Sequence, residues 1–300
     1  MRIVKIGDLH INEPSIQEIT EILEEIFKHG EADGVIQLGD FFDSSRPTPK
    51  ELDFGSWVIT EFKKRYKSVI VLSGTGRHNW LNGVSIIKYF KHLGATPVGI
   101  TYNTKIDNLN CLFGHFMTNQ SKLEYGTGEY TIKQLKKYDL VMLGHQHSPQ
   151  VIFSINGKII MLHLGSIRFQ HWNEVSDKNK QFAILENGKL KLIPLKTPIP
   201  MIDVYSPKDL PKLNERNKVR LVCKEWKDYK NWVNDFGKWE NKFVEFKTKK
   251  EYGQPNLEMV RALSKKSKTL QQFVGQWLTK IKDKEVVKLL EKKFKEEGII

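Results

Sequence analysis

Along the first two thirds of the chain, short apolar runs alternate with longer segments of helical spacing. Six runs stand out, at residues 2–6, 34–38, 68–72, 111–113, 140–143 and 158–164, each short and closed by a glycine or a Ser-Gly pair, which predicts buried β-strands. Between the first three lie apolar stripes with helical period at 16–27 and 49–66, so this part reads as βαβ units around a largely buried sheet.

Beyond Pro194 the pattern changes. A Pro-containing stretch at 194–211 reads as a linker, followed by a strand at 219–223, a helix at 229–239 and a strand at 243–246, which makes a small α/β unit. From residue 258 onward the spacing is helical. Leu270, Phe273, Val274, Trp277, Leu278 and Ile281 form one apolar stripe, and Thr269 with Gln272 reads as its capping box. A second helix starts near Asp283 and carries Val286, Val287, Leu290 and Phe294. Two short amphipathic helices leave apolar surface that either the rest of this chain or a partner must cover. The predicted division is therefore 1–195, 196–252 and 253–300, an α/β protein with a small α/β attachment and a helical tail.

Composition narrows the class. Three hundred residues exceed one simple domain of roughly 100–200 residues, and 39% hydrophobic with 11% aromatic residues supply a core, which excludes a disordered chain. The chain lacks a long uninterrupted apolar stretch and a signal-peptide pattern, and its two cysteines, Cys111 and Cys223, are not at metal spacing, so a cytoplasmic protein without membrane spans is expected. The net charge is +13, and residues 201–300 hold 24 basic against 15 acidic side chains. This lopsided charge either attracts a polyanion such as nucleic acid or serves solubility. Trp226, Trp232 and Trp239 in the same region either contact such a partner or fill a core.

The candidate chemistry sits at the strand ends. The runs stop at Gly7-Asp8-Leu9-His10, Gly39-Asp40-Phe41-Phe42-Asp43, Ser73-Gly74-Thr75-Gly76-Arg77-His78, Gly114-His115, Gly144-His145-Gln146-His147 and Gly165-Ser166. Ligand sites of open α/β sheets lie outside the carboxyl ends of strands, where loops converge. Asp8, His10, Asp40, His115, His145 and His147 make a carboxylate and imidazole set without thiols, which suits Mn, Fe or Zn. Six such groups are too many for one ion with open positions, so two ions sharing Asp40 are expected, an arrangement that serves phosphoester hydrolysis.

These motifs resemble the calcineurin-like metallophosphoesterases, whose pattern is D-x-H, G-D-x-x-D, G-N-H-D/E, an isolated G-H and G-H-x-H. Four of the five blocks are present in the family's order. The resemblance implies a four-layer αββα sandwich and a dinuclear centre. Asp8, His10, Asp40 and His147 would hold one ion, and Asp40, His115 and His145 the other, with Asp43 orienting a catalytic His78. The other reading of Asp43 is a helix cap before Pro47.

The fifth block departs from the pattern. With two residues inserted, His78 takes the place of the catalytic imidazole, Arg77 replaces the metal-binding Asn and Asn79 the acidic residue; without the insertion Thr75 stands for the Asn and the imidazole is lost. The inserted alignment keeps a proton donor where one is needed, and Thr75 or Asn79 would then substitute as ligand through a rearranged loop.

Within that family the wording of residues 2–10, and Gly165-Ser166-Ile167-Arg168 ahead of Glu174, look like the SbcD-type DNA repair nucleases. That resemblance implies a manganese-dependent DNA exonuclease or endonuclease subunit, a capping domain at 196–252 that selects DNA, and a helix–loop–helix at 253–300 that binds an SbcC-type ATPase. It also implies a homodimer. The alternatives are a DNA-end-binding scaffold with weakened chemistry, motivated by Arg77, and a phosphatase of the same superfamily.

Overall fold

The computed structural model describes residues 1–121, 130–205 and 218–221, with residues 287, 288, 291, 292 and 295. In chain order its elements are β1 (Arg2–Ile6), α1 (Ile16–Phe27), β2 (Ala32–Gln37), α2 (Pro49–Arg65), β3 (Tyr66–Leu72), α3 (Gly76–Asn79), β4 (Trp80–Leu81), β5 (Val84–Ser85), β6 (Thr96–Val98), β7 (Thr101–Ile106) and β8 (Leu109–Gly114). There follow α4 (Ile132–Leu135), β9 (Leu140–Leu143), β10 (Gln150–Ile155), β11 (Lys158–His163), β12 (Gln181–Glu186), β13 (Lys189–Pro194), β14 (Met201–Val204) and β15 (Lys218–Leu221).

Local chemistry sets the helices. Ile19, Ile22, Leu23 and Ile26 place one buried stripe on α1. Thr48 caps α2 by accepting from the Glu51 amide while the Glu51 carboxylate accepts from the Thr48 amide, with Pro49 at the first helical position. The helix ends one residue before the predicted limit because Tyr66 turns extended and buries its ring as the first residue of β3.

Two sheets form the frame. One runs β13-β12-β1-β2-β3-β6 and the other β10-β11-β9-β8-β7. Their inner strands are parallel, and antiparallel strands close the edges at β12–β13, β10 and β7. Strand alternation assigns each face. Val4 and Ile6 pack with α1 and α2, whereas Ile3, Ile36 and Leu72 face Phe113, Met142 and Leu162 of the second sheet. The outer face of that sheet, through Leu112, Val141 and Met161, packs on Leu135 of α4. The result is the four-layer αββα sandwich that the resemblance implies.

Strands β7, β10, β12 and β13 are not among the six apolar runs. The Asn-Gly turns were the available sign. Asn156-Gly157 and Asn187-Gly188 both have positive φ and close the β10–β11 and β12–β13 hairpins, as two-residue turns require.

The chain divides into a unit of Met1–Ile202 with Asn214–Lys218, and a second of Asp203–Leu213 with Val219–Ile300. Strands β14 and β15 form a separate two-stranded sheet. Most of the predicted 196–252 attachment and of the 253–300 helical tail, including the tryptophans and the apolar stripe, lies outside the described residues. No helix among the described residues is long and apolar enough to cross a membrane.

Candidate active site

All six predicted ligands converge at the carboxyl ends of β1, β2, β8 and β9, with the loop after β3 closing over them. The loops after β1 and β2 are zipped together, the amides of His10 and Ile11 donating to Asp40 and Phe41 and that of Asp43 to Ile11. His10, Asp40 and His145 are non-glycine residues with φ of 46°, 44° and 74°, left-handed backbone that turns each side chain toward the centre. Asp8 Oδ2 lies 3.8 Å from His147 Nε2, which in turn lies 3.1 Å from His10 Nε2. Asp40 Oδ2 is 3.7 Å from His10 Nε2 and 3.1 Å from His115 Nε2, so this carboxylate stands between the two imidazole groups. Asp8, His10 and His147 make one set with metal-ligand spacing, and Asp40, His115 and His145 another.

Electrostatics match a centre assembled for positive charge. Burial pushes the Asp8 carboxyl up to about 6, with Asp40 adding to the rise and His115 opposing it. Burial opposes ionisation of Asp40 as well, but the imidazoles of His115, His10 and His78 outweigh it and hold its carboxyl far below the usual range. Burial would lower His115, yet Asp40 and Asp8 raise it to about 9, while burial lowers His10 and His145 to about 4. Two buried carboxylates are thus held among imidazoles, and Asp8 in particular keeps a burial cost that a bound cation would offset.

The loop after β3 settles the fifth block. Arg77 is exposed, and Asn79 is buried with its Nδ2 donating to Asp40 Oδ1 at 2.8 Å. The Thr75 amide donates to the same oxygen at 2.8 Å. Asn79, therefore, and not Arg77, stands at Asp40. The insertion is absorbed by α3, whose single turn carries Asn79 back over Thr75. His78 lies in this turn with its ring 4.6 Å from that of His10.

Asp43 reaches both His10 and His78, by different atoms. Its carboxylate meets His10 Nδ1 at 3.1 Å and accepts from Asn12 Nδ2, whereas His78 Nδ1 meets only the Asp43 backbone carbonyl, at 2.5 Å. The hydrogen bond from His10 holds the Asp43 carboxyl down at about 2. Asp43 orients His10, because the zipped loops place its side chain over the first motif.

Divalent metal fits these residues. Asn79 Oδ1 is buried and has no hydrogen-bond partner, so a neutral amide oxygen keeps unused lone pairs beside Asp40, while His115 Nε2 approaches Asp40 Oδ2 at 3.1 Å, a spacing that two ligands of one cation can adopt. Glycines make the room. A Cβ on Gly74 would fall on the Asp40 carboxylate, and one on Gly144 would stand 2.6 Å from Asp8 Oδ1.

Behind the site lies a layer in which Arg168 and Glu174, which the sequence marks only through the resemblance, and Lys180 and Gln37, which it does not single out, have contacts that sequence reading did not assign. His147 Nδ1 meets Glu174 Oε1 at 3.2 Å, and Glu174 Oε2 accepts from Lys180 Nζ at 2.5 Å. Burial would raise the Glu174 carboxyl, but His147 and Lys180 bring it down to about 2. Arg168 donates to the His10 carbonyl at 3.0 Å. Gln37, fully buried at the end of β2, bridges the Gly39 amide and carbonyl and steadies the Asp40 loop.

Residues 1–74 match the family model of the calcineurin-like phosphoesterases. No curated protein matches the chain. Among solved structures, the chain is similar to a novel archaeal phosphodiesterase at 19% identity and a TM-score of 0.42, over 65% of this chain and 100% of that one. It is similar to the phosphoesterase YfcE of E. coli at 16% identity and a TM-score of 0.40, over 65% and 94% of the two chains. A third likeness is to the nuclease MPE of Pseudomonas putida, at 13% identity and a TM-score of 0.31, over 64% and 86%.

Proposed function

We propose that this protein is a metal-dependent phosphodiesterase of the calcineurin-like class, and that its substrate is DNA, cut at ends or in single strands during repair or recombination. The observation that carries the reading is the meeting of Asp8, His10, Asp40, His115, His145, His147 and Asn79 around one buried carboxylate, Asp40.

Asp8, His10, Asp40 and His147 would hold one divalent cation, and Asp40, Asn79, His115 and His145 a second, with manganese suited to this mixed oxygen and nitrogen set. When bound, the pair would supply Lewis-acid stabilisation of charge building on the phosphoryl oxygens. The chain's own part is positioning and proton transfer. His78, half-buried beside His10, donates Nδ1–H to the Asp43 carbonyl, and in its doubly protonated form would give its Nε2 proton to the departing ester oxygen as water adds to phosphorus and the P–O bond breaks. Asp43 keeps His10 in place through Nδ1.

DNA is preferred over a small phosphate ester because of the net charge of +13, most of it in residues 201–300. We place DNA selection in 196–252 and attachment to an SbcC-type ATPase in 253–300, in a cytoplasmic homodimeric assembly. The scaffold reading loses its motive, since the position it assigned to Arg77 is held by Asn79. Substituting Asp8, His115 or His145 should abolish manganese-dependent DNA degradation while DNA binding survives; undiminished degradation in these variants would refute the assignment. Faster turnover of a chromogenic monoester than of DNA would favour the phosphatase reading.

A further inference from the structure

Behind His147 lies a set of charges whose central ion pair is shut away from solvent. Lys180 and Glu174 have side-chain exposures of 0% and 1%, and Lys180 Nζ also reaches Asp177 Oδ2 at 2.9 Å and the His147 carbonyl at 3.1 Å. Glu174 Oε1 accepts from the His171 amide at 2.9 Å as well as facing His147 Nδ1. Burying an ion pair costs desolvation that its mutual attraction barely offsets, so stability alone is a weak reason for it. Its geometry supplies a better one. Lys180 grips one edge of the residue through its carbonyl, and Glu174 grips the imidazole at Nδ1.

A carboxylate can only accept at that nitrogen, so the neutral ring must carry its proton on Nδ1. The lone pair then sits on Nε2, the atom turned toward Asp8 and His10. We propose that Glu174, held by Lys180, is a positioning residue that fixes the tautomer and aim of His147. It thereby sets the affinity of the cation position formed by Asp8, His10 and His147, without touching substrate. The inference rests on the metal-site reading above.

The test uses the full chain and two variants. In Glu174→Gln, Lys180 draws the amide oxygen and leaves the amide NH2 facing Nδ1, so the proton should move to Nε2. Because this variant strands a buried ammonium, Glu174→Gln/Lys180→Met removes both charges and keeps the packing. Nitrogen NMR of the metal-free imidazoles should show the His147 proton on Nδ1 in the wild type and on Nε2, or divided between the nitrogens, in each variant that melts cooperatively. Titration with manganese should show one of two binding steps weakened by roughly 10–100-fold, the size expected when the partner of a ligating histidine is lost, and the other step unchanged. An unchanged tautomer, or two unchanged binding steps, in a folded variant overturns the proposal. If the wild type binds no manganese, the metal-site reading fails, and the tautomer measurement alone then decides this inference.

Discussion

Asn79 Nδ2 donates to Asp40 Oδ1 at 2.8 Å, while Asn79 Oδ1 is buried without a partner. One amide therefore orients the central carboxylate and offers a free lone pair beside it. Asn79→Ala should weaken one manganese-binding step by roughly 10–100-fold. Arg77→Ala, which changes an exposed side chain, should leave both steps intact. Calorimetric titration of the two variants checks this, and the opposite pattern would restore Arg77 to the site.

Gly74 packs against the Asp40 carboxylate, the Asp40 amide and Asn79 Nδ2 so closely that an added Cβ would overlap them. Gly74→Ala should displace the loop after β3 and reduce DNA hydrolysis by at least about 100-fold, the order of loss that small misplacements of reacting groups produce. Gly76→Ala, where the same addition meets open space, should be mild. Initial-rate measurements on both variants would separate a steric effect from a general intolerance of this loop.

His78 touches the Asp43 carbonyl and the edge of the His10 ring, and although it also lies within ligand spacing of His10 and Asp40, the proposed assignment places it outside both metal sets. His78→Gln is expected to lower kcat by roughly 10²–10⁴-fold, as loss of a general acid does. Manganese stoichiometry should stay at the wild-type value. Parallel loss of metal and turnover would instead make His78 a ligand.

Lys5 is fully buried between the sheets, with Nζ donating to the Ile3 carbonyl at 3.0 Å and Cys111 and Phe113 close by. Burial lowers its ammonium from 10.5 to about 7, against a small opposing pull from Cys111. Below about pH 7 both folded and unfolded chains carry the proton, and the cost of burying the charge is felt in full. Between about 7 and 10.5 the unfolded chain binds more protons, so stability rises with pH across that window. Lys5→Met should stabilise the protein by roughly 1–3 kcal/mol at pH 6.5 and flatten this rise. Denaturant unfolding at about pH 6.5 and 9.5 reads both effects, and an equal slope in wild type and variant would count against the buried charge.

Much of this molecule was written locally. The stripe Ile19, Ile22, Leu23 and Ile26 specifies α1, the Thr48–Glu51 box starts α2, and short apolar runs ending in glycine mark β1, β2, β3, β8, β9 and β11. The convergence of candidate metal-binding side chains was legible for the same reason: in parallel strands each run ends at one edge of its sheet, so Asp8, His10, Asp40, His115, His145 and His147 are brought near one another by position along the chain. Contacts between loops were not legible. Local spacing does not say which of Thr75, Arg77 and Asn79 turns inward, because that depends on one turn of α3 closing a glycine loop onto a carboxylate from another strand. Asp43 lies on His10, and Glu174 meets His147 from 27 positions away, by the same kind of long-range closure. The sequence by itself determined the strand ends and the chemical groups they deliver. The packing of the two sheets decided which groups meet, since distances between separate loops are set by the whole core and by no single segment.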